Sequence, residues 1–336
     1  MCHVSLIHKW LPSYLRFPCV AGLSQLQREA RYLQEHALAD NSVRTRRSQW
    51  KDYHEFCATY DVTPLPCSQE GVCLYVAYMA RKFKYSSIES YVSALSYLQQ
   101  MHGYVPVNAT NFMVKRTMLG AKRKLGYSPV QAMPLQPEHL LQFYSHLDMS
   151  VSYQLCWWTA AITAFRGLLR KAHVTKSSQC ISFDNVKFYE WGMLLTLPHT
   201  KTIQYGERIL EIPFTRVPGS PLCVDYFVSR LVGHTGVWGD QAVFQYWVKN
   251  RLQVMSYASF SAELRRLTGV IGLEGKVSSH SLRRGGASYL SSIGVDLIDI
   301  KARGDWKSLA VLLYLVDGLD RKVSKDRVVT SFLRVM

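Results

Sequence analysis

Four short segments of this 336-residue chain carry side chains able to bind anions, move protons or attack an electrophile. Arg170-Lys171-Ala172-His173-Val174 closes an apolar helical pattern. His199-Thr200-Lys201-Thr202 falls between two strand-like runs. His280-Ser281-Leu282-Arg283-Arg284-Gly285-Gly286-Ala287-Ser288 holds an H-x-x-R pair. Gly304-Asp305-Trp306-Lys307-Ser308 is followed by Tyr314. A guanidinium is permanently charged and offers planar paired donors, which suits a phosphate. An imidazole exchanges protons near neutral pH. A phenol, with an ordinary pKa near 10, becomes a nucleophile once a base or nearby positive charge helps it ionise. No cluster of carboxylates accompanies these residues, so the pattern does not suggest a two-metal nuclease. Taken singly, each has an ordinary explanation. An H-x-x-R pair should arise about once by chance in a chain this rich in His and Arg. His280 alone reads as a structural histidine. Arg170 can answer a helix dipole, Lys201 can be a solvated turn residue, and Trp306 and Tyr314 can be core aromatics. The information lies in their order and surroundings.

The elements that must position them follow from periodicity. Amphipathic helices fill the first 125 residues. Asn41 and Ser42 can cap a helix bearing Val43, Trp50, Tyr53, Phe56 and Cys57 on one face. Pro64 and Pro66 interrupt, and Ser68 then starts a helix through Val72, Tyr75, Val76 and Met79. Ser86 with Glu89 forms a capping-box pattern ahead of Ile88, Val92, Leu95 and Leu98. A further helix from about Thr110 to Leu125 carries Lys115, Arg116, Lys122, Arg123 and Lys124, which either form a solvated face or contact phosphates. Gly126, Pro129 and Pro134 mark residues 126–135 as a linker. A helix starts near Pro137, and a second, from Leu155 to Leu169, is rich in apolar residues and reads as buried. Three strand-like runs follow, Val186 to Trp191, Met193 to Leu197 and Arg208 to Ile212, with Gly192 in the first turn. Helical patterns resume at Ser220-Pro221, with Pro at the first helical position, and continue to the end. The expected fold is mainly α: a helical domain at 24–125, then a catalytic domain at 136–336 of α+β type with a small antiparallel sheet. Residues 1–23 receive no role.

Composition narrows the class. A hydrophobic fraction of 48% supports sizeable cores, and a net charge of +16 favours a polyanionic partner, nucleic acid or an anionic membrane surface. No run reaches the ~18 apolar residues of a membrane span. The apolar start is broken by His8, Lys9, Pro12, Arg16 and Pro18, so it is not read as a signal peptide. The eight cysteines include no C-x-x-C pair, which argues against zinc or a disulfide framework and for reduced thiols inside a cell.

In order and context the four segments resemble the tyrosine recombinase (phage integrase) family, with the likeness strongest to recombinases of eukaryotic DIRS- and Ngaro-type mobile elements. The family's first arginine lies in a pattern like G-x-L-R-x-S-x-L, matched by Gly167-Leu168-Leu169-Arg170-Lys171-Ala172-His173-Val174. Its strand-turn lysine is matched by Lys201, its H-x-x-R box by His280 and Arg283, its His-or-Trp position by Trp306, and its nucleophile by Tyr314. The resemblance spans roughly residues 24–320, and the helical half is similar to the family's core-binding domain. Two positions depart from the pattern: His173 stands where an acidic residue usually supports the first arginine, and Leu309 where an acidic residue often follows Ser308.

The resemblance implies a site-specific recombinase that cuts and rejoins double-stranded DNA through a 3′-phosphotyrosyl bond, without metal, ATP or small-molecule substrate. Tyr314 attacks. Arg170 and Arg283 stabilise the charge gathering on phosphorus. His280 manages the tyrosine proton or donates to a nonbridging oxygen, Trp306 donates its indole N–H, and Lys201 protonates the departing 5′ oxygen. Lys115, Arg116, Lys122, Arg123, Lys124 and Arg284 are candidate phosphate contacts. The family architecture implies a two-domain clamp on DNA, a homotetramer on two duplexes, and a nuclear location in a eukaryotic host. Val323, Val328, Phe332 and Leu333 can form an apolar stripe that docks on a neighbouring subunit or folds back on its own domain. Three alternatives are a domesticated DNA-binding protein that no longer cuts, a type IB topoisomerase, and a membrane-surface protein. The full set of six catalytic candidates argues against the first. The separate helical domain argues against the second, and the lack of a strong amphipathic membrane helix against the third.

Overall fold

A computed structural model describes residues 23–107, 111–127 and 131–315. The chain divides into two compact units, residues 1–129 and 130–336. The first 22 residues and the proposed stripe at Val323, Val328, Phe332 and Leu333 lie outside the described residues.

Among the described residues the first unit holds five helices: α1 (Leu23–Glu35), α2 (Asp40–Tyr60), α3 (Gln69–Met79), α4 (Tyr85–Met101) and α5 (Phe112–Leu125). The expected apolar faces meet in one core of Tyr53, Phe56, Val72, Tyr75, Val76, Met79, Ile88, Val92 and Leu95, joined by Val114 and Met118 of α5. Gln99, buried beside it, is paired at both ends of its amide: it donates to the Cys67 carbonyl (2.9 Å) and accepts from the Val107 amide (2.9 Å). Ser68 caps α3 as expected, accepting from the Gly71 amide at 2.9 Å. The capping box at Ser86 and Glu89 is not formed. Helix α4 begins two residues earlier, with Lys84 in the cap position, because Tyr85 is buried and must join the core-facing row. The cap of α2 likewise moves from Asn41–Ser42 to Ala39, which makes no side-chain cap bond.

The second unit is built around α7 (Ser152–Arg166), whose residues 155–165 are all buried. Trp157 and Trp158 bring polar indole nitrogens into that interior, and both are satisfied. Trp157 donates to the Phe260 carbonyl and Trp158 to the Pro221 carbonyl, each at 3.0 Å. Around α7 lie α6 (Pro137–Ser145), α8 (Lys171–Val174), α9 (Val224–Thr235), α10 (Tyr257–Val270), α11 (Ser279–Ser292) and α12 (Leu297–Arg303). Strands β1 (Val186–Tyr189), β2 (Gly192–Leu197) and β3 (Leu210–Thr215) form an antiparallel sheet in that order. Its register pairs Leu195 with Val186 and with Ile212.

Four expectations are corrected here. Strand β3 starts at Leu210 and runs through Pro213; as an edge strand it tolerates a residue without an amide donor. Helix α9 starts at Val224, not at Ser220-Pro221, which lie in the preceding turn. A second hairpin, β4 (Gln245–Val248) with β5 (Arg251–Val254), interrupts the stretch read as helical. Its two-residue turn, Lys249-Asn250, has positive φ at both positions, the geometry that matches strand twist. Residues 133–135, read as linker, pack on the second unit: Met133 donates to the Lys276 carbonyl (2.8 Å), Leu135 to the Ser281 carbonyl (3.1 Å), and Leu135 is fully buried.

Helix α11 approaches its neighbours too closely for side chains at two points. A Cβ on Gly286 would collide with the Phe165 carbonyl oxygen, and one on Gly285 with that of Leu135. The Gly-Gly pair therefore sets how deeply the H-x-x-R helix sits against α7. Backbone oxygens cannot move aside as a flexible side chain can. Gly286→Ala is expected to destabilise the unit by about 1–3 kcal/mol or more. A urea titration followed by near-ultraviolet circular dichroism checks this; an unchanged midpoint would show that the helices are not in contact there.

Candidate active site

Most of the candidate catalytic residues come from segments at or just beyond helix ends or strand ends, and the core fixes where those ends fall. Helix α7 stops at Arg166 rather than continuing to Leu169. Gly167 and Leu168 break it, Leu168 with φ +52°, and Arg170 becomes the residue before the short helix α8. The broken turn directs the Leu168 carbonyl toward the interior. There it accepts from Arg283, whose second terminal nitrogen donates to the Gly304 carbonyl at 2.6 Å. One guanidinium thus holds the end of α7 against the end of α12. Arg303 reinforces the junction, donating to the Arg166 carbonyl (2.8 Å) and the Pro213 carbonyl (3.1 Å).

Arg283 is 2% exposed and lies on the first turns of α11, one turn after His280. Its guanidinium carbon sits 3.8 Å from the centre of the Trp306 ring and 5.5 Å from that of Tyr314. The two aromatic rings meet edge to face, with centroids 5.0 Å apart at 63°. They rest on a small apolar platform of Leu168, Ala287, Ile300 and Val311. Tyr314 ends a 3-10 turn, Leu309–Leu313, which Ser308 caps through the Ala310 amide (3.2 Å). Its carbonyl accepts from the Ser288 hydroxyl of α11 at 2.9 Å. These contacts place the nucleophile candidate within reach of Arg283 without movement of the described chain.

The site is electrostatically loaded. Burial, then the nearby Arg170 charge, lowers the Arg283 pKa to about 9, while Tyr314 and Asp305 act in the opposite direction. Arg284, half-buried, is lowered by burial and raised by Tyr314, so both adjacent arginines feel the phenol. His280 is lowered by partial desolvation, and then by the charges of Arg283, Lys171, Arg170 and Lys201. It therefore stays neutral at pH 7, available to accept a proton. Lys201 makes the smallest of these contributions. Lys201 is exposed on the β2–β3 connection, at the turn Thr200–Ile203 closed by the Thr200 amide to the Ile203 carbonyl (3.0 Å). A concentration of like charge is unfavourable until an anion offsets it, which is the electrostatic setting that phosphate binding needs.

Sequence reasoning misses Asp305. It is 2% exposed, with φ +55°, and its carboxylate accepts from the Thr200 and Thr202 hydroxyls and from Arg208. Arg170 lies 3.7 Å from it. Burial alone would raise its pKa, but the hydroxyl donors and Arg208 outweigh that and hold it below the usual carboxylate range. The one signal is an acidic residue wedged between Gly304 and the candidate Trp306. His173, at the position where an acid is expected, is buried and neutral. Burial brings its pKa down to about 4, and its Nδ1 lies 3.2 Å from the Gln179 carbonyl oxygen.

The candidate phosphate contacts divide. Arg284 belongs to the second unit beside Tyr314. Lys115, Arg116, Arg123 and Lys124 are exposed on α5 of the first unit, whereas Lys122 is half-buried, its ammonium 4.7 Å from the centre of the Tyr127 ring and 5.4 Å from that of Tyr85.

No protein-family profile matches the chain. Over 298 residues it is 23% identical to an integrase/recombinase xerD homolog of Selenomonas ruminantium, covering 84% of this chain and 83% of that protein. Among solved structures, lambda integrase (residues 75–356), as a dimer bound to a COC′ core site, covers 88% of this chain with 95% of its own at a TM-score of 0.60 and 17% identity. The XerH recombinase bound to a palindromic difH substrate, a post-cleavage complex, also reaches 0.60, at 12% identity over 85% and 78%. The Tn1549 transposon integrase with circular intermediate DNA reaches 0.56, at 12% identity over 88% and 96%. The fold is the one these integrases and recombinases share: mostly helical, with small antiparallel sheets. In sequence, the xerD homolog matches along more than four fifths of both chains.

Proposed function

We propose that the protein is a site-specific DNA recombinase that cleaves and rejoins strands through a covalent 3′-phosphotyrosyl bond. One observation carries this reading: Arg283, buried and aligned by two carbonyls, faces both Trp306 and Tyr314, so that a nucleophile and a fixed guanidinium lie together, with Arg170 and His280 in electrostatic reach of that guanidinium. The phenol oxygen of Tyr314 attacks phosphorus, and the bond to the 5′ oxygen breaks. His280 takes the phenol proton and Lys201 supplies one to the leaving oxygen. Arg170 and Arg283 stabilise the extra negative charge on the nonbridging oxygens. The phosphotyrosine keeps the energy of the broken ester, so rejoining by a 5′ hydroxyl needs no nucleotide cofactor.

The same proposal extends to the finer points. The element is of the DIRS or Ngaro type, as the motif pattern resembles, and the task is integration or excision of mobile DNA. The working unit is a homotetramer on two duplexes, located in the nucleus of a eukaryotic host. A nicked duplex bearing the recognised ends tests the core claim: a protein–DNA adduct stable to denaturation must accumulate. A two-site substrate must then give recombinant joints, whereas relaxed circles alone would identify a topoisomerase.

For α5, Lys122→Ala with Lys124→Ala is expected to weaken DNA binding and to flatten its dependence on salt, by about 0.9 in log–log slope per lost phosphate contact. Fluorescence anisotropy from low to moderate salt measures this; an unchanged slope removes these lysines from the DNA surface.

A further inference from the structure

Arg170, Lys201 and Trp306 lie on three segments that only the fold brings together, and one acidic residue contacts all three segments. Asp305 directly precedes Trp306 and stands 3.7 Å from Arg170. It also holds the connection that carries Lys201 at both of its ends. At the near end, the Thr200 hydroxyl donates to Asp305 and itself accepts from the Thr202 and Ile203 amides at 3.1 and 3.0 Å. Thr200 and Ile203 are buried beneath Lys201, which stands exposed at the top of the turn. At the far end, Arg208 binds the other carboxylate oxygen, and Glu207 lies 3.6 Å from Lys307, two residues past Asp305. The side chain at the position expected to support Arg170, His173, carries no charge to do so.

We propose that Asp305 is a positioning residue that orients Arg170 in place of an acid at position 173 and docks the turn bearing Lys201, so that one buried carboxylate assembles the charge-stabilising arginine and the leaving-group acid. The inference rests on the recombinase reading. It adds that these two functions are coupled through a residue that touches neither substrate nor nucleophile.

The two roles separate chemically. A 5′-bridging sulfur in place of oxygen leaves as a stable thiolate and needs no proton, so it restores any variant whose defect is in the general acid. It cannot restore a variant that has lost charge stabilisation at phosphorus. Asp305→Asn is the variant of choice, because Asn keeps the size and tolerates the left-handed backbone at φ +55°. Single-turnover cleavage is measured on both substrates. Lys201→Ala should lose about 10²–10⁴-fold on oxygen, the worth of a general acid, and recover fully on sulfur. Arg170→Ala should be impaired on both. Asp305→Asn should be slower than wild type on both, with part but not all of its oxygen defect recovered on sulfur. Thr202→Val, which removes one tether of the turn and leaves the carboxylate, should show a smaller defect, fully recovered on sulfur. It keeps the test open if Asp305→Asn does not fold.

Wild-type rates for Asp305→Asn on both substrates overturn the proposal. So does complete recovery on sulfur, which would leave Arg170 independent of Asp305, or an unimpaired Thr202→Val. If the wild-type protein itself forms no adduct on either substrate, the recombinase reading has failed, an outcome distinct from all of these.

Discussion

Tyr314→Phe should abolish the covalent protein–DNA complex while leaving DNA affinity and fold intact. The ring of Tyr314 packs edge to face on Trp306 and belongs to the apolar platform with Leu168, Ala287, Ile300 and Val311, and phenylalanine keeps all of that. Its backbone carbonyl still accepts from Ser288. What is lost is one oxygen, the atom that would be esterified. The loss should therefore be complete within detection. The informative substrate carries a nick a few nucleotides beyond the scissile phosphate, so that the short 5′-hydroxyl fragment diffuses away and rejoining stops. With the 5′-labelled strand, wild type should give a slow band on a denaturing gel that protease collapses. Tyr289→Phe, on α11 and half-buried against Phe165, serves as the control and should give the wild-type amount. An adduct that persists in Tyr314→Phe, or one attached through a 5′ phosphate, would show that another group or another polarity of cleavage is at work.

Much of this site is legible in the amino-acid sequence, because its chemistry is local to short motifs. His280 and Arg283 share a face by helical spacing alone. Pro137 at a helix start and the apolar run of α7 signal the framework on which they sit. The helical faces of the first unit are legible for the same reason: periodicity reports burial directly. What cannot be read are relations set by tertiary contact. Arg170 reads as the last residue of a helix, because nothing local reveals that Leu168 adopts a left-handed conformation to give its carbonyl to Arg283. The Ser86–Glu89 pattern is a good cap locally, but burying Tyr85 outweighs it. The β4–β5 hairpin is hidden because its strands are four residues long and its turn, Lys249-Asn250, carries no Gly or Pro to mark it. Asp305 escapes notice because an isolated acid acquires meaning only from the threonines and arginines, far earlier in the chain, that surround it.

Arg283→Lys should cost at least about 10²-fold in cleavage rate, with DNA affinity little changed; the loss of one preorganised donor at a developing oxyanion is worth roughly 10²–10³ in rate. Lysine keeps the charge, so a purely Coulombic role would be largely preserved. The geometry predicts otherwise. Arg283 uses two nitrogens on the Leu168 and Gly304 carbonyls and holds its guanidinium carbon 3.8 Å from the centre of the Trp306 ring; on the proposed reading the rest of the fork meets a nonbridging oxygen. A single ammonium cannot reach two carbonyls and a phosphate together, and it lacks the flat face that stacks on indole. Arg283→Ala should go further and remove detectable cleavage. It also leaves two buried carbonyls unpaired, at about 1–3 kcal/mol each, so its melting temperature must fall, and its kinetics are interpretable only well below that temperature. Affinity should survive in both variants. On the proposed reading, binding is spread over many phosphate contacts, whereas Arg283, 2% exposed, would address a single phosphate. Single-turnover rates at saturating protein, measured beside equilibrium binding to the same duplex, separate the two quantities. A lysine variant that cleaves like wild type would reduce Arg283 to a point charge and remove the reason for its burial between two helix ends.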